Sequence, residues 1–165
     1  MSALTDSPGD TDEMLPTETA CHEAGHCVVA KALGIPTYSI VLRPVSGARG
    51  ETDTHVGRGH SGSASALDRA AITYAGWYAQ HRAYPGCDKQ GSWSDIATVK
   101  LILTGQPKGT RERTIRRVKK LLAENWPAVL ALAAEIDRRG ALYSSDLEQL
   151  GYWWPPTEDA WLRID

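Results

Sequence analysis

The sequence predicts a mostly α protein of the α+β kind, with one small β element after its first helix. Three observations carry that reading. Six stretches show helix-type apolar spacing between recognisable start and stop residues. One short run, Tyr38 to Arg43, is rich in strand formers and is closed by Pro44. The length of 165 residues suits one domain with a full core and is short for two. Residues 1–14 are acidic and polar and lack the basic-then-apolar order of a signal peptide. They are expected to form a disordered lead-in, with a single domain over 15–165.

Each element has its own signals. The first helix covers the window Thr19 to Leu33, with start signals at Pro16, Thr17 and Thr19 and a stop at Gly34 and Pro36. Most of that window is apolar, which predicts a buried helix. After the strand, Ser46 to Ser63 is rich in Gly, Ser, Thr and His and reads as a loop, with a short strand near Thr54 to Val56. Such a loop either borders a substrate groove or simply connects. Ser63 or Ser65 then caps a helix to about Arg82, followed by a turn at Pro85-Gly86. Ser92 or Ser94 starts a helix from Asp95 to about Leu103, broken at Gly105 and Pro107. A basic helix spans Gly109 to Asn125. Another runs from Pro127, a favoured first-turn residue, to Arg139 and ends at Gly140. Ser145 to Glu148 has the form of a capping box opening a last short helix, and Tyr152 to Pro156 is non-helical.

Composition narrows the function. The formal charge is −2, 42% of residues are hydrophobic and 23% are charged, as in a soluble globular protein. No run of 18 apolar residues is present, so no membrane anchor is expected. Cys21, Cys27 and Cys87 are an odd number without framework spacing, which fits a reducing cytoplasm. Lys108 to Lys120 holds seven basic residues, but no aromatic residue interleaves for base stacking. This stretch reads as the solvated face of an amphipathic helix, with Ile115, Val118, Leu121 and Leu122 on its apolar side, and not as a nucleic-acid surface.

The chemistry lies in His22-Glu23-Ala24-Gly25-His26, an H-E-x-x-H pattern. Residues four apart share one helix face, so His22 and His26 can offer both imidazoles to one ion. Two neutral imidazoles with that bite suit tetrahedral Zn2+, and Glu23 beside them suits a general base acting on water. Cys21 and Cys27 flank the histidines, but one residue's offset turns each about 100° away, so core packing is their expected role. A catalytic zinc needs a third protein ligand. Asp95, a short carboxylate at a helix start, has by itself the form of a plain helix-capping aspartate.

The run from Thr19 to Val29 resembles the peptidase domain of FtsH-type AAA+ zinc metalloproteases. The strand ending Ile40 to Pro44, the segment Ala75 to Gln80 and Ser94-Asp95-Ile96-Ala97-Thr98 stand where that family has its strand, its Gly-x-x-Ala-Glu signature and its Asp motif. The resemblance covers about Glu18 to Leu150. It implies a zincin-like helical metallopeptidase domain, with His22, His26 and Asp95 as zinc ligands and Glu23 as general base. It also implies a polypeptide substrate, in flexible or unfolded form, delivered by a partner ATPase or within a homo-oligomer. Two departures stand out. Gln80 occupies the place of a family glutamate near the metal, and no G-x-x-x-x-G-K-[ST] phosphate loop is present. The competing reading is a non-catalytic adaptor or regulatory module that keeps the fold and its zinc.

Overall fold

The computed structural model describes residues 15–43, 65–87 and 93–154, and the backbone of 51–52. They form six helices and a small antiparallel sheet, which packs against α1, α5 and α6. The chain runs α1 (Glu18–Ala32), β1 (Ser39–Arg43), β2 (Glu51–Thr52), α2 (Ala66–Ala83), α3 (Trp93–Ile102), α4 (Thr110–Glu124), α5 (Trp126–Arg139), β3 (Ala141–Tyr143) and α6 (Ser144–Gln149).

α1 is the central helix, and its residues from Ala20 to Ala30 are all buried. Thr17 caps it, with its hydroxyl oxygen accepting from Ala20 N at 3.3 Å. The cap is itself anchored from far along the chain. Thr17 N and Oγ1 both donate to the Asp137 carboxylate of α5, at 2.6 and 2.7 Å. α2 packs closely along α1, because Gly25 has no side chain. A Cβ there would lie 2.5 Å from Ala79 Cβ and 2.7 Å from the Ala75 carbonyl oxygen. Ser65 caps α2 by accepting from Asp68 N at 3.1 Å.

The sheet order is β2-β1-β3, all antiparallel. β3 pairs with β1 in the register Ser39↔Tyr143, Ile40↔Leu142 and Val41↔Ala141. Ile40 and Leu142 are fully buried and join Val29, Val118, Leu122, Val129, Ile136 and Leu147 in the core. β3 is not legible from the sequence. Three residues are too few for an alternating pattern to register.

The basic helix is α4. Thr114, Val118 and Leu122 face the core, while most of its cationic residues are exposed, as its spacing predicts. α3 begins at Trp93, directly after Ser92, one of its two expected start residues, and Asp95 keeps its place in the first turn. One detail differs from expectation. At α6, the backbone N of Tyr143 donates to Asp146 Oδ2 at 3.0 Å, so Asp146 closes that helix start in place of the Ser145–Glu148 pair. The lead-in 1–14, most of the glycine-rich loop with His55 and His60, and the proposed strand near Thr54 to Val56 lie outside the described residues. Among the described residues no helix is long and apolar enough to cross a membrane.

Candidate metal centre

His22 and His26 project from one face of the buried α1, their rings edge to face with centroids 4.7 Å apart. Both are buried, and so is Glu23. The ligand-type atoms of His22, Glu23 and His26 all lie within 4.8 Å of one another, close enough to bind a metal ion. α3 brings the fourth group. Asp95 Oδ2 lies 2.9 Å from His22 Nε2 and 3.5 Å from His26 Nε2. Ligands about 2.0–2.1 Å from a tetrahedral ion stand about 3.3 Å from one another, a spacing these two distances bracket. The first-turn aspartate thus faces both imidazoles.

The hydrogen bonds behind the rings decide which nitrogen is free. His26 Nδ1 lies 2.7 Å from the carbonyl oxygen of Ile72, which can only accept, so Nδ1 carries the proton. His22 Nδ1 lies 3.1 Å from Gln80 Oε1, another acceptor. In the neutral rings both Nε2 atoms then present lone pairs, and they face a carboxylate oxygen. Three acceptors converge on one point, and that arrangement requires a cation, whether a proton or a metal.

The titration directions agree. Burial alone pulls the His26 imidazole down. Asp95, Glu23 and the Ile72 carbonyl outweigh it and lift the group to about 9. Burial raises the Asp95 carboxyl, but the hydrogen bonds to His22 and His26 override that and hold it well below the usual carboxylate range. Each shift records a site that favours positive charge where the three atoms meet.

Two further observations fit a metal ion. Gly76 of α2 faces the ligands. A Cβ there would overlap Cε1 and Nε2 of His26 and lie 2.9 Å from His22 Nε2. A bare glycine in mid-helix is unfavourable by about 1 kcal/mol relative to alanine, and here it keeps open the space an ion would fill. In addition, Glu23 Oε2 is buried without a hydrogen-bond partner. A lone buried carboxylate oxygen is costly and marks a place where a further group belongs.

The cysteines take no part. Burial, with help from Asp137, pushes the Cys21 thiol up to about 11, and its Sγ lies 3.6 Å from the Pro16 carbonyl oxygen. Burial raises Cys27 further, in the core cluster. Both stay protonated core residues, as their offset from the histidines predicts. His81 sits at the far end of α2, with Nδ1 bonded to the Trp77 carbonyl oxygen at 3.0 Å.

Sequence reasoning found His22, Glu23, His26 and Asp95 but not the Ile72 carbonyl or the bond from Gln80 to Glu18. Its one available signal for the cradle was a glycine at position 76 inside a helical pattern. No family model matches this chain, and no curated protein matches it.

Proposed function

We propose that this protein is a zinc-dependent metalloendopeptidase with a zincin-like domain of the FtsH peptidase type. The observation that carries the proposal is the convergence of His22 Nε2, His26 Nε2 and Asp95 Oδ2 beside Glu23, whose Oε2 has no hydrogen-bond partner. In this reading His22, His26 and Asp95 hold the ion, and nitrogen and oxygen donors in that number suit zinc with one position open. When bound, zinc supplies Lewis-acid polarisation of a scissile carbonyl and makes water acidic enough to ionise near neutral pH.

The chain's own residues do the rest. Ile72 and Gln80 hold the two imidazoles in their Nδ1–H forms. Gly76 leaves the space clear. Glu23 is one residue from His22, yet its Oε2 makes no bond that would tie it down. It takes a proton from the attacking water and returns it to the leaving amine as the C–N bond breaks, giving a carboxylate and an amine. Substrate would be a flexible or unfolded polypeptide, the class the FtsH-type resemblance implies.

The test is cleavage of casein by zinc-loaded protein, with Glu23→Gln alongside. Glu23→Gln should bind zinc as well as wild type and lose at least about 100-fold in cleavage rate, the size of a general-base contribution. Equal cleavage by wild type and variant would remove Glu23 from the mechanism. Zinc-loaded wild type that cuts nothing would favour a zinc-holding adaptor module.

A further inference from the structure

Gln80 has a neighbour that gives it a defined task. Its Oε1 lies 3.1 Å from His22 Nδ1, and its Nε2 lies 3.2 Å from Glu18 Oε2. Gln80 is buried, whereas Glu18, in the first turn of α1, is exposed. A glutamine amide presents one accepting end and one donating end, and the two choices are linked. A carboxylate only accepts, so Glu18 requires the donating end of Gln80. That turns the Gln80 oxygen toward His22, and this oxygen in turn requires a proton on Nδ1. Nε2 is left with the lone pair, directed at Asp95 and the space beside Gly76. Reversing the amide would set its oxygen against the Glu18 carboxylate and its NH2 against a ring N–H.

We propose that Glu18 and Gln80 form a relay that fixes the tautomer of His22 and strengthens it as a metal donor. Both are positioning residues, and the inference rests on the metal-site reading above. Aligned hydrogen bonds polarise one another, so the Glu18 charge makes the Gln80 oxygen a better acceptor for the His22 Nδ1–H and holds the Nε2 lone pair on the metal side. The relay also solves a charge problem. Asp95 and Glu23 already bring two carboxylates to this cluster, and a glutamate at position 80 would add a third. Glutamine passes on the influence of a carboxylate while the charge itself stays in water. His26 has no such relay, because its Nδ1 meets a backbone carbonyl.

The experiment compares wild type, E18Q, Q80L and the double variant in two measurements. One is zinc affinity, by competition with a chromogenic chelator. The other is the 15N-correlated signal of each histidine Nδ1–H. Q80L should lower zinc affinity about 10- to 100-fold, the usual effect of removing a ligand's hydrogen-bond partner. E18Q should lower it about 3- to 10-fold, as a charged partner becomes neutral. Adding E18Q to Q80L should change nothing more, because the connection is already cut. In E18Q the His22 Nδ1–H signal should move upfield while that of His26 stays in place.

An unmoved His22 signal in E18Q overturns the relay. So does an E18Q effect of equal size in the Q80L background, which would mean that Glu18 acts through space. E18Q changes only an exposed side chain, so it decides the matter even if Q80L does not fold. The spectra need no metal. Wild type without zinc affinity would sink the metal-site reading, and the His22 shift would still judge the relay.

Discussion

Two clusters of charged groups in this protein obey opposite rules. At the surface, Glu135, Arg138, Arg139 and Asp146 link α5 to α6. Arg138 forks onto Glu135 at 2.9 and 2.7 Å, and Arg139 bonds Glu135 at 2.5 Å and Asp146 at 2.8 Å. Every acid there has a base, and the hydrogen bonds from Arg138 and Arg139 hold the Glu135 carboxyl down at about 2. The buried cluster sets His22 Nε2 and His26 Nε2 against the one oxygen Asp95 Oδ2 and leaves Glu23 Oε2 without a hydrogen-bond partner. The exposed cluster is complete and contributes little, since water would solvate its members equally well. In the buried one an unpaired carboxylate oxygen is costly, because no water solvates it. Convergence of nitrogen and oxygen ligand atoms at a buried point is what sets a candidate metal site apart from a surface network.

The largest expected effect comes from filling the space without replacing a ligand. Gly76→Ala adds one methyl group where the nitrogens of His22 and His26 converge. It should reduce zinc affinity by more than 100-fold, about the loss of one ligand's share of a zinc site's binding energy. The helix should survive, because alanine is the better helix former. Isothermal titration with zinc, beside a circular dichroism melt of the metal-free protein, measures both. Wild-type zinc affinity in this variant would mean that the ion does not sit among these nitrogens.

A smaller effect contrasts the protein with and without metal. In the metal-free protein the raised His26 pKa contributes stability that is complete below about pH 6.5, the unfolded value. That contribution is lost as pH rises toward about 9. The lowered Asp95 pKa acts on the other flank, with stability present above the ordinary carboxylate range and lost as pH falls. A bound metal displaces the proton from the imidazoles, so the stabilisation it adds should grow with pH over the same window. Thermal melts from pH 6 to 9, stripped and zinc-loaded, should therefore diverge. A constant gap between the two curves would show that no imidazole proton competes with the metal.

The smallest effect is expected at the surface. Glu135→Gln should shift Tm by about 2 °C or less, and the shift should vanish in high salt. Its zinc affinity should equal that of wild type. A larger change would mean that the α5–α6 network matters more to the fold than its exposure suggests.

The two halves of the candidate site were unequally legible. His22, Glu23 and His26 are within five residues of one another, and helix geometry alone puts both imidazoles on one face. Thr17 as cap and Gly34 as stop were equally local signals. Asp95 was a candidate whose role stayed open, because a carboxylate in the first turn of a helix has the same sequence signature whether it caps or ligates. Ser92 and Ser94 stayed alternatives for the start of α3, because helix starts are uncertain by a residue or two. The partner strand β3 was missed because pairing with β1 across about 100 residues leaves no mark on three residues.

The sequence by itself determined the local terms. Apolar composition made α1 a buried helix, the four-residue spacing paired the histidines, and glycine at 25 and 76 permitted close approach. Those follow from backbone geometry and side-chain size over one or two turns. Only the tertiary structure decided the non-local terms. It set Asp95 within 3.5 Å of both imidazoles, the Ile72 carbonyl behind one ring and the Gln80–Glu18 pair behind the other, and it left Glu23 Oε2 unpartnered. These depend on which helices pack together and at what depth. Hydrogen bonding and desolvation act through space within a few ångströms, whatever the separation along the chain.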